Sequence, residues 1–254
     1  MSEVEKTNRS AGLSYQQLLD SDPVSPPAVL RLESPLPQGG LQSVPVSRYT
    51  SRDFHDLEMQ KLWPRVWQMA CREEEIPAVG DYVIYEIGRF SIIVVKTADG
   101  IKAHHNVCRH RGRRLCDHPG HAASFICPFH GFSWNIDGSL RSVTSEWDFP
   151  QIDHDSFDLN PVRCDTWGGW VFINMDAAAQ PLSDFLGDLP EHFAIWLPQE
   201  RYVEAHVGKV LGCNWKAAQE AFMEAFHVIA THPQILAGIG DENSQYDAWG
   251  NFSR

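Results

Sequence analysis

The feature that most constrains this chain is a pair of short strings, Cys108-Arg109-His110 and Cys127-Pro128-Phe129-His130. Each offers one thiol and one imidazole within a few residues, so each loop can close a small chelate ring and the pair completes a four-donor set. A fold that uses them must bring two loops face to face, at the tips of elements stiff enough to hold them. The donors alone leave two readings open. A structural zinc ion takes Cys₂His₂ as a tetrahedron. A 2Fe–2S cluster divides the same donors, with two Cys on one iron and two His on the other.

The remaining cysteines, Cys71, Cys116, Cys164 and Cys213, are unevenly spaced, and six in 254 residues is too sparse for a disulfide framework. The net charge of −12 disfavours nucleic acid or an anionic membrane as the main partner. The apolar run from Ser91 to Val95 is stopped by Lys96, so no stretch has membrane-spanning length. Glu3 and Glu5 stand where a secretory signal needs positive charge. The expectation is a soluble, cytoplasmic protein with enough chain to bury a core. One segment inverts the acidic balance: Arg109, Arg111, Arg113 and Arg114. They are either a solvated set paired with acids such as Asp117, or a docking patch for an acidic electron donor.

Texture changes along the chain mark three parts. Residues 1–46 hold six of the sixteen prolines and the pair Gly39-Gly40, and read as an extended or disordered arm with a short helix at Ser14–Asp20 capped by Ser14. A helix capped by Ser51 places Phe54, Leu57, Leu62 and Trp63 on one face and is limited by Pro64. Tyr82–Ile87 and Phe90–Lys96 around Gly88-Arg89 read as a hairpin, with further turns at Asp99-Gly100 and Asp137-Gly138 and a strand at Gly169–Asn174. Residues 47–175 are thus expected to form a small antiparallel β domain. Leu182–Leu197 has room for a short helix, and Lys216–Ile229, Ala-rich and free of Gly and Pro, for the strongest helix.

That last helix places Glu220, Glu224 and His227 on one face. His232 lies about 140° further round at helical spacing, so a straight helix would not converge the two imidazoles. Pro233, however, drives His232 out of the helical conformation, which can swing its ring back towards His227.

These strings carry a family resemblance. C-R-H-R-G…C-P-F-H-G-F-S-W at 108–134 resembles the Rieske motif of ring-hydroxylating oxygenases. The resemblance implies Cys108, Cys127, His110 and His130 as ligands of a Rieske 2Fe–2S cluster. Rieske proteins of respiratory and photosynthetic complexes add a cysteine to each loop, whereas Arg113 and Phe129 stand at those places here. The likeness is therefore to the oxygenase or ferredoxin type. N-W-K…E-x-F-x-E-x-F-H-x-x-x-x-H from Asn214 is similar to the mononuclear iron motif of the same oxygenases. It implies His227 and His232 as ligands of Fe(II), and Glu224 as the carboxylate that carries electrons from the Rieske histidine, His130, across a subunit boundary. Glu224 stands where Asp is usual, Ala221 where Asn is common and Phe226 where Tyr is common.

The resemblance implies an α+β fold: the Rieske domain over 47–175, then the start of a helix-grip-like catalytic domain over 176–254. It also implies the activity. Electrons from NAD(P)H arrive through a ferredoxin or reductase, O₂ is activated at Fe(II), and an aromatic or related apolar substrate is hydroxylated, in a homotrimer or α₃β₃ assembly. Phe222, Phe226 and Trp249 are candidates for a substrate pocket, with core packing the expected role of the first two. Only 22 residues follow His232, and their acids, Asp241, Glu242 and Asp247, read as loop charges and not as the third ligand of a two-His, one-carboxylate site. The expectation is an incomplete chain that lacks most of its substrate domain. The other reading is a stand-alone Rieske electron carrier, which has no need of His227 and His232.

Overall fold

The computed structural model describes residues 12–34, 43–235 and 243–254. Gly39, Gly40, Gly238, Gly240, Asp241 and Glu242 lie outside the described residues. Two compact units result, Asp56–His206 and Met1–His55 with Val207–Arg254.

The first unit is built on β1 (Gln68–Arg72), β2 (Asp81–Ile87), β3 (Phe90–Thr97), β4 (Gly100–His105), β5 (Gly120–His121), β6 (Ser124–Ile126), β7 (Ser133–Asn135), β8 (Leu140–Ser142), β9 (Pro161–Trp167) and β10 (Trp170–Asn174). Seven form one antiparallel sheet in the order β1-β10-β9-β4-β3-β2-β5, and β6-β7-β8 form a second. The expected hairpin is present, with Ile87 opposite Phe90 across Gly88-Arg89.

The run Ile92-Ile93-Val94-Val95 is apolar without alternation because β3 is covered on both faces. Ile93 and Val95 pack with Phe125, Phe132, Trp134 and Leu159, the core that also receives Cys108 and Cys127. Ile92 and Val94 pack on the opposite face with Cys71, Val162, Val171 and Ile173. Trp134 is fully buried, and its indole N–H donates to Phe157 O at 3.0 Å, so the large side chain leaves no orphaned donor. A third cluster joins Trp67 and Phe172 to Leu182 and Leu186 of the short helix Leu182–Leu186.

In the second unit, Ser14 caps the helix Tyr15–Ser21 with a reciprocal box: its Oγ accepts from Gln17 N, and Gln17 Oε1 accepts from Ser14 N. The described part of the arm is tethered rather than free. Asp247, whose side chain is fully buried, accepts from Ser34 N at 2.7 Å, from Gln245 Nε2 at 2.6 Å and from Arg254 Nε at 3.1 Å. The same Arg254 donates to the carbonyls of Val29 and Leu32. Residues 29–34 are thereby clamped to the hairpin Ala248–Trp249 and Phe252–Ser253.

Burial pushes the Asp247 carboxyl up, but its bonds to Gln245, Ser34 and Arg254 outweigh that and hold it below the ordinary carboxylate value. A depressed folded value means that the stabilisation is complete above the unfolded value of about 4 and is lost as pH falls through the folded one. Protection of the backbone amides of residues 29–34, relative to their intrinsic exchange rate at each pH, should therefore fall in acid, and at neutral pH in Asp247→Ala, where removing one partner of a buried pair costs about 3 kcal/mol or more. Unchanged exchange in that variant would show that the clamp holds nothing.

Candidate metal centre

The two Cys–His strings form loops with one and the same backbone pattern. Cys108 N donates to Arg113 O at 2.7 Å, and Gly112 N donates to Cys108 O at 2.9 Å. Cys127 N donates to Phe132 O at 2.8 Å, and Gly131 N donates to Cys127 O at 3.0 Å. Both glycines are left-handed, at φ +74° and +77°, which lets the chain reverse within five residues. The first loop follows β4; the second joins β6 to β7.

These turns bring the donors together. Both cysteines are buried. Burial pushes the Cys108 thiol up, the backbone N–H groups of His110 and Arg111 pull it down, and a hydrogen bond with Cys127 raises it again. The rings of His110 and His130 stand 4.8 Å apart between centroids. His110 is stacked on Phe132 at 4.6 Å and meets the edge of Phe149. Burial, then the charges of His130 and Arg111, lower the His110 pKa and favour neutral imidazole, the form that ligates metal.

His110 Nδ1 is buried with no hydrogen-bond partner in the protein. A buried, unpaired ring nitrogen beside a second histidine and two paired thiols suits a group that binds there.

The arginines of this loop are occupied. Arg109 donates to the carbonyls of Ser156 and Asp158 and lies over Phe157. Arg111 covers Phe129, Arg113 stands 3.7 Å from Asp117, and Arg114 pairs with Glu86 at 2.7 Å. Two of the four, Arg113 and Arg114, meet acids, and the side chains of both remain partly exposed.

In the second unit, the expected continuous helix over Lys216–Ile229 is two short helices, Trp215–Glu220 and Val228–Thr231. Asn214 caps the first, accepting from Lys216 N. The break has a chemical cause at Glu224. Its Oε2 accepts from His227 N at 3.1 Å and its Oε1 meets His227 Nδ1 at 2.5 Å, so the carboxylate competes with the helix for local donors. Glu220, Glu224 and His227 therefore do not share one helix face.

His232 leaves the helical region, at φ −127° and ψ 53°. Its ring lies 5.4 Å from that of His227, the convergence expected from Pro233. Partial desolvation raises the Glu224 carboxyl, and the stronger effect of its bonds to His227 lowers it. Asp247 is committed to the Arg254 clamp. Phe222 is 91% exposed and Phe226 61%, which corrects the expected core role of both; the broken helix turns them outward. Trp249 lies under the Arg254 guanidinium at 4.8 Å. Sequence reasoning missed Asn106, which is 3% exposed and joins both ends of the first loop through its side chain.

Comparison with known proteins agrees with this arrangement. Residues 66–152 match the Rieske [2Fe-2S] domain, and residues 193–253 match the catalytic domain of the ring hydroxylating alpha subunit. The chain belongs to the Rieske non-haem iron ring-hydroxylating oxygenase alpha-subunit family, whose cofactors are the 2Fe–2S cluster and mononuclear iron. It is 31% identical to the glycine betaine monooxygenase oxygenase subunit of Pseudomonas aeruginosa, over 76% of this chain and 46% of that one. It is 34% identical to the chlorobenzene dioxygenase subunit alpha of Cupriavidus sp., over 76% and 45%. Naphthalene 1,2-dioxygenase from Rhodococcus sp. bound to indole superposes with a TM-score of 0.70 at 31% identity, over 76% and 46%. A quaternary ammonium Rieske monooxygenase in complex with L-carnitine shares the fold, with a TM-score of 0.76 at 24% identity, over 82% and 60%. The chain spans about half the length of the curated relatives it matches.

The two loop glycines are not equivalent. A Cβ on Gly131 would lie 2.9 Å from Thr144 Oγ1, whereas one on Gly112 meets nothing within 4 Å. Either alanine forces a left-handed L-residue, at about 1–2 kcal/mol. Gly131→Ala should therefore lower the thermal midpoint further than Gly112→Ala, and equal shifts would contradict the asymmetry.

Proposed function

We propose that this chain is the electron-accepting and iron-binding part of a Rieske oxygenase. Cys108 and Cys127 hold one iron of a 2Fe–2S cluster, and His110 and His130 hold the other. His227 and His232 hold Fe(II). When bound, the cluster supplies reversible one-electron transfer and the mononuclear iron supplies O₂ activation.

The chain's own residues prepare both sites. The glycine turns aim the donors, burial keeps water from the two thiols, and Phe132 and Phe149 fix the plane of His110. Glu224 accepts from His227 Nδ1, which sets the tautomer and leaves Nε2 as the ligating atom. The same carboxylate is the group that would bridge to a cluster histidine of a second copy, and an NAD(P)H-fed ferredoxin or reductase is the electron source.

The named substrates of the similar proteins are quaternary ammonium compounds and aromatics. Oxygenation of a small organic molecule is common to both groups and is the activity proposed. The observation that carries the reading is the repeated loop geometry with its orphaned His110 nitrogen. The convergence of His227 and His232 favours an oxygenase over a stand-alone electron carrier.

Anaerobic reconstitution with iron and sulfide tests the first centre. Two acid-labile sulfides are expected with two irons beyond any held at His227 and His232, and these are lost in Cys127→Ser. Stoichiometric zinc without sulfide would sink the reading. Added Fe(II) should bind beyond the cluster and be weakened by His227→Ala, and an unaltered affinity in that variant would favour the carrier.

A further inference from the structure

The two cluster loops share a turn but are not closed in the same way. The second is sealed by a main-chain ladder, in which Ser124, Phe125 and Ile126 face Asn135, Trp134 and Ser133. The first has no such ladder, because β4 ends at His105 and the chain from Asn106 to Pro119 is not in a strand. One side chain takes the ladder's place. Asn106 Oδ1 accepts from Leu115 N at 3.1 Å and from Cys116 N at 3.0 Å. Its Nδ2 donates to Cys116 O at 2.7 Å and to Ser91 Oγ at 3.1 Å.

The partners fix the amide's orientation, since two backbone N–H groups can only donate and a carbonyl can only accept. All four hydrogen-bonding positions are used in a residue only 3% exposed. The main chain of Asn106 is also tied down, its N–H donating to Ser91 O at 2.9 Å. Asn106 therefore stands in for a strand, joining the residue before the Cys108–His110 turn to the residues after it.

We propose that Asn106 is the positioning residue of the Cys108–His110 loop, and that through this closure it tunes the reduction potential of the cluster. The link is the main chain of the loop, in which Cys108 N donates to Arg113 O and Gly112 N to Cys108 O. Where the loop sits decides which polar groups surround the ligating atoms, and those surroundings set a cluster's potential. They stay in place only while the loop remains closed. The inference rests on the cluster assignment of the preceding section for its redox consequence, but not for its structural one.

The test has two arms. In the cluster-free full chain, amide exchange at Leu115, Cys116, Cys108 and Gly112 should be slow in wild type and about tenfold faster in Asn106→Leu, which keeps the shape and removes the amide. In the reconstituted chain, the same variant should shift the cluster's midpoint potential and shorten its lifetime, with unchanged iron content at the start. Ser91→Ala, which removes one of the four bonds, should give a smaller shift in the same direction.

Rapid exchange of these amides in wild type overturns the positioning role, and this needs no variant that folds. An unchanged potential in both variants overturns the redox role. Failure of wild type to assemble a 2Fe–2S cluster overturns the redox role together with the cluster assignment, while the exchange arm still decides the structural half.

Discussion

The structure of the first unit depends on a main-chain hydrogen bond made twice, from the N–H of a cluster-loop cysteine to the carbonyl five residues on. It holds each loop tight enough for a thiol to enter the core while an imidazole three or fewer residues away remains half-exposed. Both thiols enter the core formed by β3 and the small sheet, and the aromatic wall of Phe125, Phe132 and Trp134 belongs to that same core. The donors and the core are thus one structure: loosening Trp134 loosens the backing of Cys127. The rigidity of the two loops comes from ordinary apolar packing around them.

The two units solve the problem of presenting histidines differently. In the β unit the rings are set by turns whose backbone bonds are fully made. In the other unit they flank a four-residue helix, one ring steered by a carboxylate and the other by the proline that follows it. The second solution has few local bonds to keep it in place. Phe222, Phe226 and Ile229 around it are largely exposed.

Much of this was legible in the sequence. The two Cys–His turns were legible because their signal is local: donor type and spacing suggest a tight loop, and Gly112 and Gly131 mark its end. The hairpins at Gly88 and Asp137 announced themselves by turn chemistry. What the sequence hid was carried by side chains acting over distance or against propensity. Residues 216–229 compose a good helix, and only the bond from Glu224 to the His227 backbone shows why it breaks. Asp247 reads as a loop charge because its partners are Ser34, far back in the chain, and an arginine across a hairpin. Asn106 looks like one more polar residue near a motif, since its partners are mostly main-chain atoms of residues 115 and 116.

The clamp at Asp247 also orders events in time. Its bonds join residues separated by 213 positions, Ser34 to Asp247, and by 225, Val29 to Arg254. A ribosome makes the receiving segment more than 200 residues before its anchor, at about 5–20 residues per second. The nascent polypeptide must therefore carry residues 29–34 undocked for about ten seconds or more, while the β unit between them has already left the exit tunnel. During that interval the exposed backbone of the segment is open to chaperones and proteases, and the emergence of Asp247 and Arg254 ends the exposure.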